Sequence, residues 1–269
     1  MTFYQELPLH ISPYIFDAGF FRLHWYGAMY ILAFATTILL VLYRLKKESW
    51  EFSKETVYDA TIWAITGLLV GGRLGYVLFY NFSYYISHPL QILWPFADGK
   101  LVGIAGMSYH GGLIGAIVAG LWFAKKRKLS IKKLIDLFIP AIPLGYFFGR
   151  IGNFINGELY GRVTTHPLAM NFGDGLLRHP SQLYEACFEG LILFALLWTI
   201  KSKTWAKGRI LGIYMLGYAT ARFLLEYTRE PDAHLGFILG PLTMGQILSI
   251  GMFLIGIVFT QKKYHLLGK

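Results

Sequence analysis

The chain has 269 residues, of which 55% are hydrophobic, 17% aromatic and only 15% charged. A soluble domain carries about 25% charged residues, so a chain with a mean hydropathy of +0.47 cannot cover a globular surface with polar side chains. This excludes disorder, a secreted disulfide scaffold and a soluble enzyme. The one cysteine, Cys187, leaves no intrachain disulfide and no cysteine-based metal cluster.

A membrane-crossing helix needs about 20 mostly apolar residues. In chain order the segments 23–43, 60–80, 101–124, 137–155, 186–200, 210–228 and 237–260 answer to that description. The first, third and last carry no charge. The others hold ionisable residues: Arg73 in the second, Arg150 in the fourth, Glu189 in the fifth, and Arg222 and Glu226 in the sixth. Pro140 and Pro143 interrupt the fourth, which membrane helices tolerate better than soluble ones. The expected fold is an all-α integral membrane protein of about seven transmembrane helices. It forms a single polytopic domain over residues 1–269, with a polar non-cytoplasmic segment at 152–185.

The connecting loops set the orientation. Most of the 25 Lys+Arg residues fall on one side: Arg44, Lys46, Lys47 and Lys54, the run from Lys125 to Lys133, the group from Lys201 to Arg209, and Lys262, Lys263 and Lys269. The positive-inside rule therefore predicts an external N-terminus and a cytoplasmic C-terminus. The net charge of +10 is then a topology signal, and no nucleic-acid partner is expected. No basic residue precedes the first span until Arg22, so the N-terminus lacks the pattern of a signal peptide.

Ionisable residues inside spans are costly and point to function. Counted at about 1.5 Å per residue, Arg73, Arg150, Arg222 and His110 reach similar heights in the outer half, with Glu189 at the outer start of its helix. Tyr218, Arg222 and Glu226 are spaced i, i+4, i+8 and share one helix face. The Arg222–Glu226 pair reads either as a helix-stabilising ion pair or as part of a phosphate-recognition surface. Arginine suits phosphate because its planar fork donates parallel hydrogen bonds. Gly67, Gly71 and Gly75, Gly111 and Gly115, and Gly145 and Gly149 follow small-xxx-small spacing and read as close helix packing.

Residues 149–164 read GRIGNFINGELYGRVT, a polar, glycine-rich run at the end of the fourth span. Here the sequence resembles the bacterial phosphatidylglycerol–prolipoprotein diacylglyceryl transferases. The segments 23–27 (LHWYG), 71–80 (GGRLGYVLFY), 106–115 (GMSYHGGLIG), 179–186 (HPSQLYEA), 218–232 (YATARFLLEYTREPD) and 244–249 (MGQILS) carry the resemblance in the same order. The run 98–105 is longer than the family form.

The resemblance implies transfer of a diacylglyceryl group from phosphatidylglycerol to the lipobox cysteine thiol of a preprolipoprotein, with a thioether formed and glycerol phosphate released. It also implies an inner-membrane enzyme working among membrane lipids, its active site toward the outer leaflet and periplasm. The thiol belongs to the substrate, and Cys187 is expected to be inert packing. His110 is expected to accept the thiol proton. Arg150 and Arg222 are expected to hold the phosphate and offset charge on the leaving group. Tyr26, Asn153, Glu158, Tyr218 and Glu226 are expected to orient the headgroup or those arginines, and Gly161 to permit a tight turn. Arg73 is carried as substrate-binding, with a structural role as the alternative. No cofactor is implied, and no metal site, since His166 and His179 have no partners at helical ligand spacing. The rival readings are another phospholipid-headgroup enzyme, a transporter for an anionic solute and a seven-helix receptor.

Overall fold

A computed structural model describes residues 2–18, 22–94, 96–97, 100–101, 106–230 and 237–261. Lys262, Lys263 and Lys269 of the orientation argument, Asp232 of the matched motif, and most of the run 98–105 lie outside the described residues. The fold is mostly helical, in the order α1 (Phe3–His10), α2 (Trp25–Lys47), α3 (Lys54–Phe79), α4 (Phe82–Ser87), α5 (Tyr109–Lys126), α6 (Ile131–Ile155), α7 (Ser181–Ile200), α8 (Ile210–Leu225) and α9 (Met244–Gln261). Antiparallel two-residue ladders tie short strands between helices, among them Met170–Asn171 with Leu177–Arg178. By length and composition α2, α3, α6, α7 and α9 can cross a membrane. Helix α8 is apolar but shorter, and α5 is bounded by Tyr109 and His110 at its start and by Lys125 and Lys126 at its end.

Several helix boundaries differ from the sequence expectation, each for a local reason. The third span was expected from residue 101, but its helix begins at Tyr109. Leu101 pairs with Phe96 in a strand, Gly106 takes φ +80°, and Ser108 caps the helix by accepting from the Gly111 N–H. The last span was expected from residue 237, where a hairpin precedes α9 and turns at Gly240 with φ +58°. Helix α7 starts at Ser181, directly after Pro180, so Glu189 lies inside the helix and the open connection shrinks from 152–185 to 156–180. Helix α6 absorbs its prolines through a 3₁₀ turn at Ile139–Ala141, because Pro140 can neither donate nor fit under an α-helical carbonyl.

The chain divides into two compact units. One comprises residues 17–22 and 42–131 and is organised by α3 against α5. A Cβ on Gly71 would run into the Gly111 carbonyl, and one on Gly115 into the Gly67 carbonyl, so the helices meet backbone to backbone. Arg73 is buried in this unit. It donates from Nε to the Ile92 carbonyl at 2.6 Å, from Nη2 to Gln91 at 2.9 Å and from Nη1 to Gly106 at 3.2 Å, with its guanidinium 4.9 Å over the Tyr85 ring.

The other unit comprises residues 1–16, 23–41 and 132–269. Ile139, Leu193, Leu197, Ala206 and Ile210 form a buried cluster where α6, α7 and α8 meet. The α6–α7 contact is tight at Gly190, where a Cβ would stand 3.0 Å from Phe147 Cα. Helix α7 winds as a π-helix over Ala186–Ile192, a widened turn that often marks functional sites. Cys187, expected to be buried, is exposed on that segment: the wide turn directs Glu185 and Glu189 inward and leaves Cys187 on the outer face.

Candidate active site

Three helices of the second unit each present a polar stripe. On α6 these are Tyr146, Arg150 and Asn153; on α7, Glu185 and Glu189; on α8, Tyr218 and Arg222, with Glu226 at the helix end. The spacings of three and four residues keep each stripe on one face. Glu185 and Glu189 are fully buried. A carboxylate removed from water must be paired and hydrogen-bonded to survive there.

Glu185 meets that condition with three guanidiniums. Its Oε2 lies 2.7 Å from Arg150 Nε. Its Oε1 lies 3.1 Å from Arg222 Nη1 and 2.7 Å from Arg229 Nη1. Arg222 continues from Nη2 to Glu226 Oε2 at 2.8 Å, so the i, i+4 pair on α8 forms and at the same time belongs to a larger network. Glu226 Oε1 accepts from the Thr243 hydroxyl at 3.0 Å, which ties the network to the start of α9. Gly245 leaves the room for this, since a Cβ there would stand 2.6 Å from Glu226 Oε1.

The network runs on into the polar connection after α6. Arg150 Nη1 donates to Asn153 Oδ1 at 3.1 Å, and Asn153 Nδ2 donates to Glu158 Oε1 at 2.8 Å. Gln182 holds the Glu158 backbone by donating to its carbonyl at 2.7 Å. Gly161 is pressed so closely that a Cβ would collide with the Thr228 carbonyl and stand 2.9 Å from His179 Cβ. The expected tight constraint at Gly161 is therefore a close backbone approach. It carries a bridge to Arg229, and Arg162 Nε donates to the Arg229 carbonyl at 2.6 Å. Tyr26 stands beside Gly152, where a Cβ would lie 3.1 Å from its ring, and its hydroxyl is 3.1 Å from that of Tyr30.

At the far end of this connection Arg178 bonds Asp174 at 2.6 Å, and that hydrogen bond holds the exposed Asp174 carboxyl below its ordinary range. His166 and His179, read from sequence as isolated, face each other with ring centroids 6.0 Å apart. Burial, and then the neighbouring His166, push the His179 imidazole below its ordinary value.

The structure thus gathers Arg150, Arg222, Asn153, Glu158, Tyr218 and Glu226 in one unit, with Gly161 and Tyr26 on its flanks. Tyr218 joins through its ring, edge-on to Tyr146 at 5.8 Å. His110 and Arg73 belong to the other unit. His110 is exposed in the first turn of α5, its ring edge-on to Tyr109 at 5.6 Å. Arg73, expected to bind substrate, spends all three of its nitrogens on backbone carbonyls.

Sequence reasoning missed Glu185, Arg229 and Tyr146. By hydropathy Glu185 reads as loop, because the apolar run begins only at Ala186. The signal that would have found it is Pro180–Ser181 as a helix start, with Glu185 and Glu189 one turn apart.

The chain has well-matched relatives among known proteins. Residues 13–261 match the prolipoprotein diacylglyceryl transferase family. The phosphatidylglycerol–prolipoprotein diacylglyceryl transferase of Chlorobaculum tepidum is 50% identical over 263 residues, covering 95% of this chain and 91% of the relative. The enzyme of that name from Bordetella avium is 48% identical over 253 residues, 92% of each chain. The one from Campylobacter lari is 43% identical over 259 residues, 96% of this chain and 95% of the relative.

Proposed function

Because the chain belongs to the prolipoprotein diacylglyceryl transferase family, we propose a mechanism in which its clustered, half-buried guanidiniums grip the phosphate of phosphatidylglycerol while a thiol displaces it. The chain is a membrane transferase that moves diacylglyceryl from phosphatidylglycerol to a prolipoprotein. The observation that carries the mechanism is the convergence of Arg150, Arg222 and Arg229 on the single Glu185 carboxylate. Each guanidinium has five N–H donors in a fixed fork, so a phosphate would meet donors that Glu185 already holds in place.

In this reading Arg150 and Arg222 bind the phosphodiester, and Asn153, Glu158, Tyr218 and Glu226 hold those arginines in place. Tyr26 and Gly161 shape the walls. The lipobox cysteine supplies the nucleophile. Its proton goes to His110, and the thiolate attacks the glyceryl carbon bonded to the phosphate oxygen. The S–C bond forms as the C–O bond breaks, and the electron pair leaves on glycerol phosphate, where the arginines offset the new charge. His110 lies at the N-terminal end of α5, where the helix dipole favours a thiolate nearby.

The same proposal takes α5 and α8 as spans beside the five long apolar helices, giving about seven, with the N-terminus outside and the C-terminus cytoplasmic. The distribution of Lys and Arg supports that orientation in an inner membrane and directs the site toward the outer leaflet. The test is direct. Incubation with phosphatidylglycerol and a lipobox peptide must add one diacylglyceryl mass to the cysteine. Arg222→Ala must lose that transfer along with phosphatidylglycerol binding while remaining folded, and His110→Gln must lose transfer while keeping lipid binding. Full activity in either variant sinks that residue's role.

A further inference from the structure

Tyr146 stands between two carboxylates and a guanidinium. Its hydroxyl donates to Glu189 Oε2 and is 3.5 Å from Glu185 Oε2, at the limit of a hydrogen bond. Arg150 Nε donates to the same hydroxyl oxygen at 2.7 Å. A phenol has a single O–H proton. Once Glu189 takes it, the oxygen can only accept from the other side, and Arg150 is the donor that meets it. The donation is therefore directional, running from Arg150 to Tyr146 to Glu189.

Two observations show that Glu189 is held for this contact and not for packing. It is fully buried, and its Oε1 has no partner among the described residues. An unsatisfied buried carboxyl oxygen destabilises the fold, whereas an apolar side chain would fill the same space without that penalty. In addition, its neighbour Gly190 lets α7 touch the backbone of α6 at Phe147, the residue next to Tyr146. The close approach fixes Glu189 against the phenol, and the π-helical turn of Ala186–Ile192 supplies the register.

We propose that Glu189 is a positioning residue that acts through the Tyr146 hydroxyl to aim Arg150 at the lipid phosphate. This rests on the reading of Arg150 as a phosphate ligand. Neither Glu189 nor Tyr146 touches substrate; together they set the angle of the guanidinium that does.

The experiment measures kcat and KM for phosphatidylglycerol in the full-length protein in lipid, for Tyr146→Phe, Glu189→Gln, Glu189→Leu and the Tyr146→Phe/Glu189→Leu pair. Tyr146→Phe keeps the ring and removes the acceptor. Misaimed transition-state contacts lower kcat more than they raise KM, so we expect kcat to fall about tenfold or more with KM changed about twofold or less. Glu189→Gln keeps an acceptor oxygen and should stay within about threefold of the parent, whereas Glu189→Leu should match Tyr146→Phe. The double variant should be no worse than either single, as for two members of one chain.

Parent-like kcat in Tyr146→Phe, multiplying losses in the double variant, or loss confined to yield and Tm would overturn the proposal. If Glu189→Leu does not fold, Tyr146→Phe against Glu189→Gln decides alone. An inactive parent chain would instead overturn the functional reading on which the proposal rests.

Discussion

Glu185 Oε1 lies 2.7 Å from Arg229 Nη1, a contact that joins the first turns of α7 to the segment after α8. The same carboxylate also faces Arg150 and Arg222, so one anion holds three elements at once. Glu185→Ala would remove the buried carboxylate that three half-buried guanidiniums share. Removing one member of a buried pair costs about 3–5 kcal/mol, and thermal unfolding in detergent should show a loss of that size. Glu185→Gln should recover part of it.

Arg73→Ala tests whether this side chain is a lipid ligand or a brace. Its three nitrogens bond the carbonyls of Gln91, Ile92 and Gly106. We expect a lower Tm and faster proteolysis between α3 and α5, with KM for phosphatidylglycerol unchanged in the protein that remains folded. A several-fold rise in KM at unchanged Tm would return Arg73 to the substrate.

Gly161→Ala places a methyl group against the Thr228 carbonyl and His179. The strand-like contact to Arg229 has to open, and overpacking of this kind costs about 1–3 kcal/mol. Transfer activity should fall with it, because Arg229 is drawn away from Glu185. A Gly161→Ala protein with parent Tm and activity would show that the wall is softer than its contacts indicate.

The connection over residues 156–180 should respond to acid. His179 has a folded-state pKa below its ordinary value of 6.5, through burial and then through His166. The unfolded state therefore binds the extra proton first, and stability rises with pH in that window. The contribution is intact above about pH 6.5 and is lost as pH falls through the lowered folded-state value. Protection factors across residues 156–180, taken relative to intrinsic exchange at each pH, should fall below pH 6.5, and His179→Gln should flatten that dependence.

Cys187→Ser should transfer diacylglyceryl at the parent rate. The thiol that reacts is the substrate's, and Cys187 faces outward from the π-helical segment while Glu185 and Glu189 face inward. Abolished transfer, measured by the mass shift of a lipobox peptide, would make Cys187 part of the chemistry.

Much of this site was legible in the sequence, because charge inside an apolar run is conspicuous. Arg150, Arg222 and Glu226 stand out on that ground, and Asn153, Glu158 and Gly161 through the polar run that contains them. Glu185 escaped because hydropathy marks where apolar residues begin, while α7 begins with Ser181 and Gln182, polar residues buried by hydrogen bonds to the Leu159 and Glu158 carbonyls. Tyr146 escaped for the opposite reason: an aromatic in an apolar helix reads as packing until its hydroxyl is seen between Arg150 and Glu189. Arg73 was visible as a charge, but its partners are backbone carbonyls of a distant turn, and only the fold brings them to it.

The glycine seam between α3 and α5 has a mechanical consequence. With Gly67, Gly71 and Gly75 seated on Gly111 and Gly115, the two backbones touch, and the paired helices are built as a single beam with little room for one to slide past the other. Arg73 is fixed to one half of that beam and His110 to the head of the other. The turn at residues 91–92 hangs on Arg73, so a crosslink clamping that turn should slow hydrogen exchange in α5 as well as in α3.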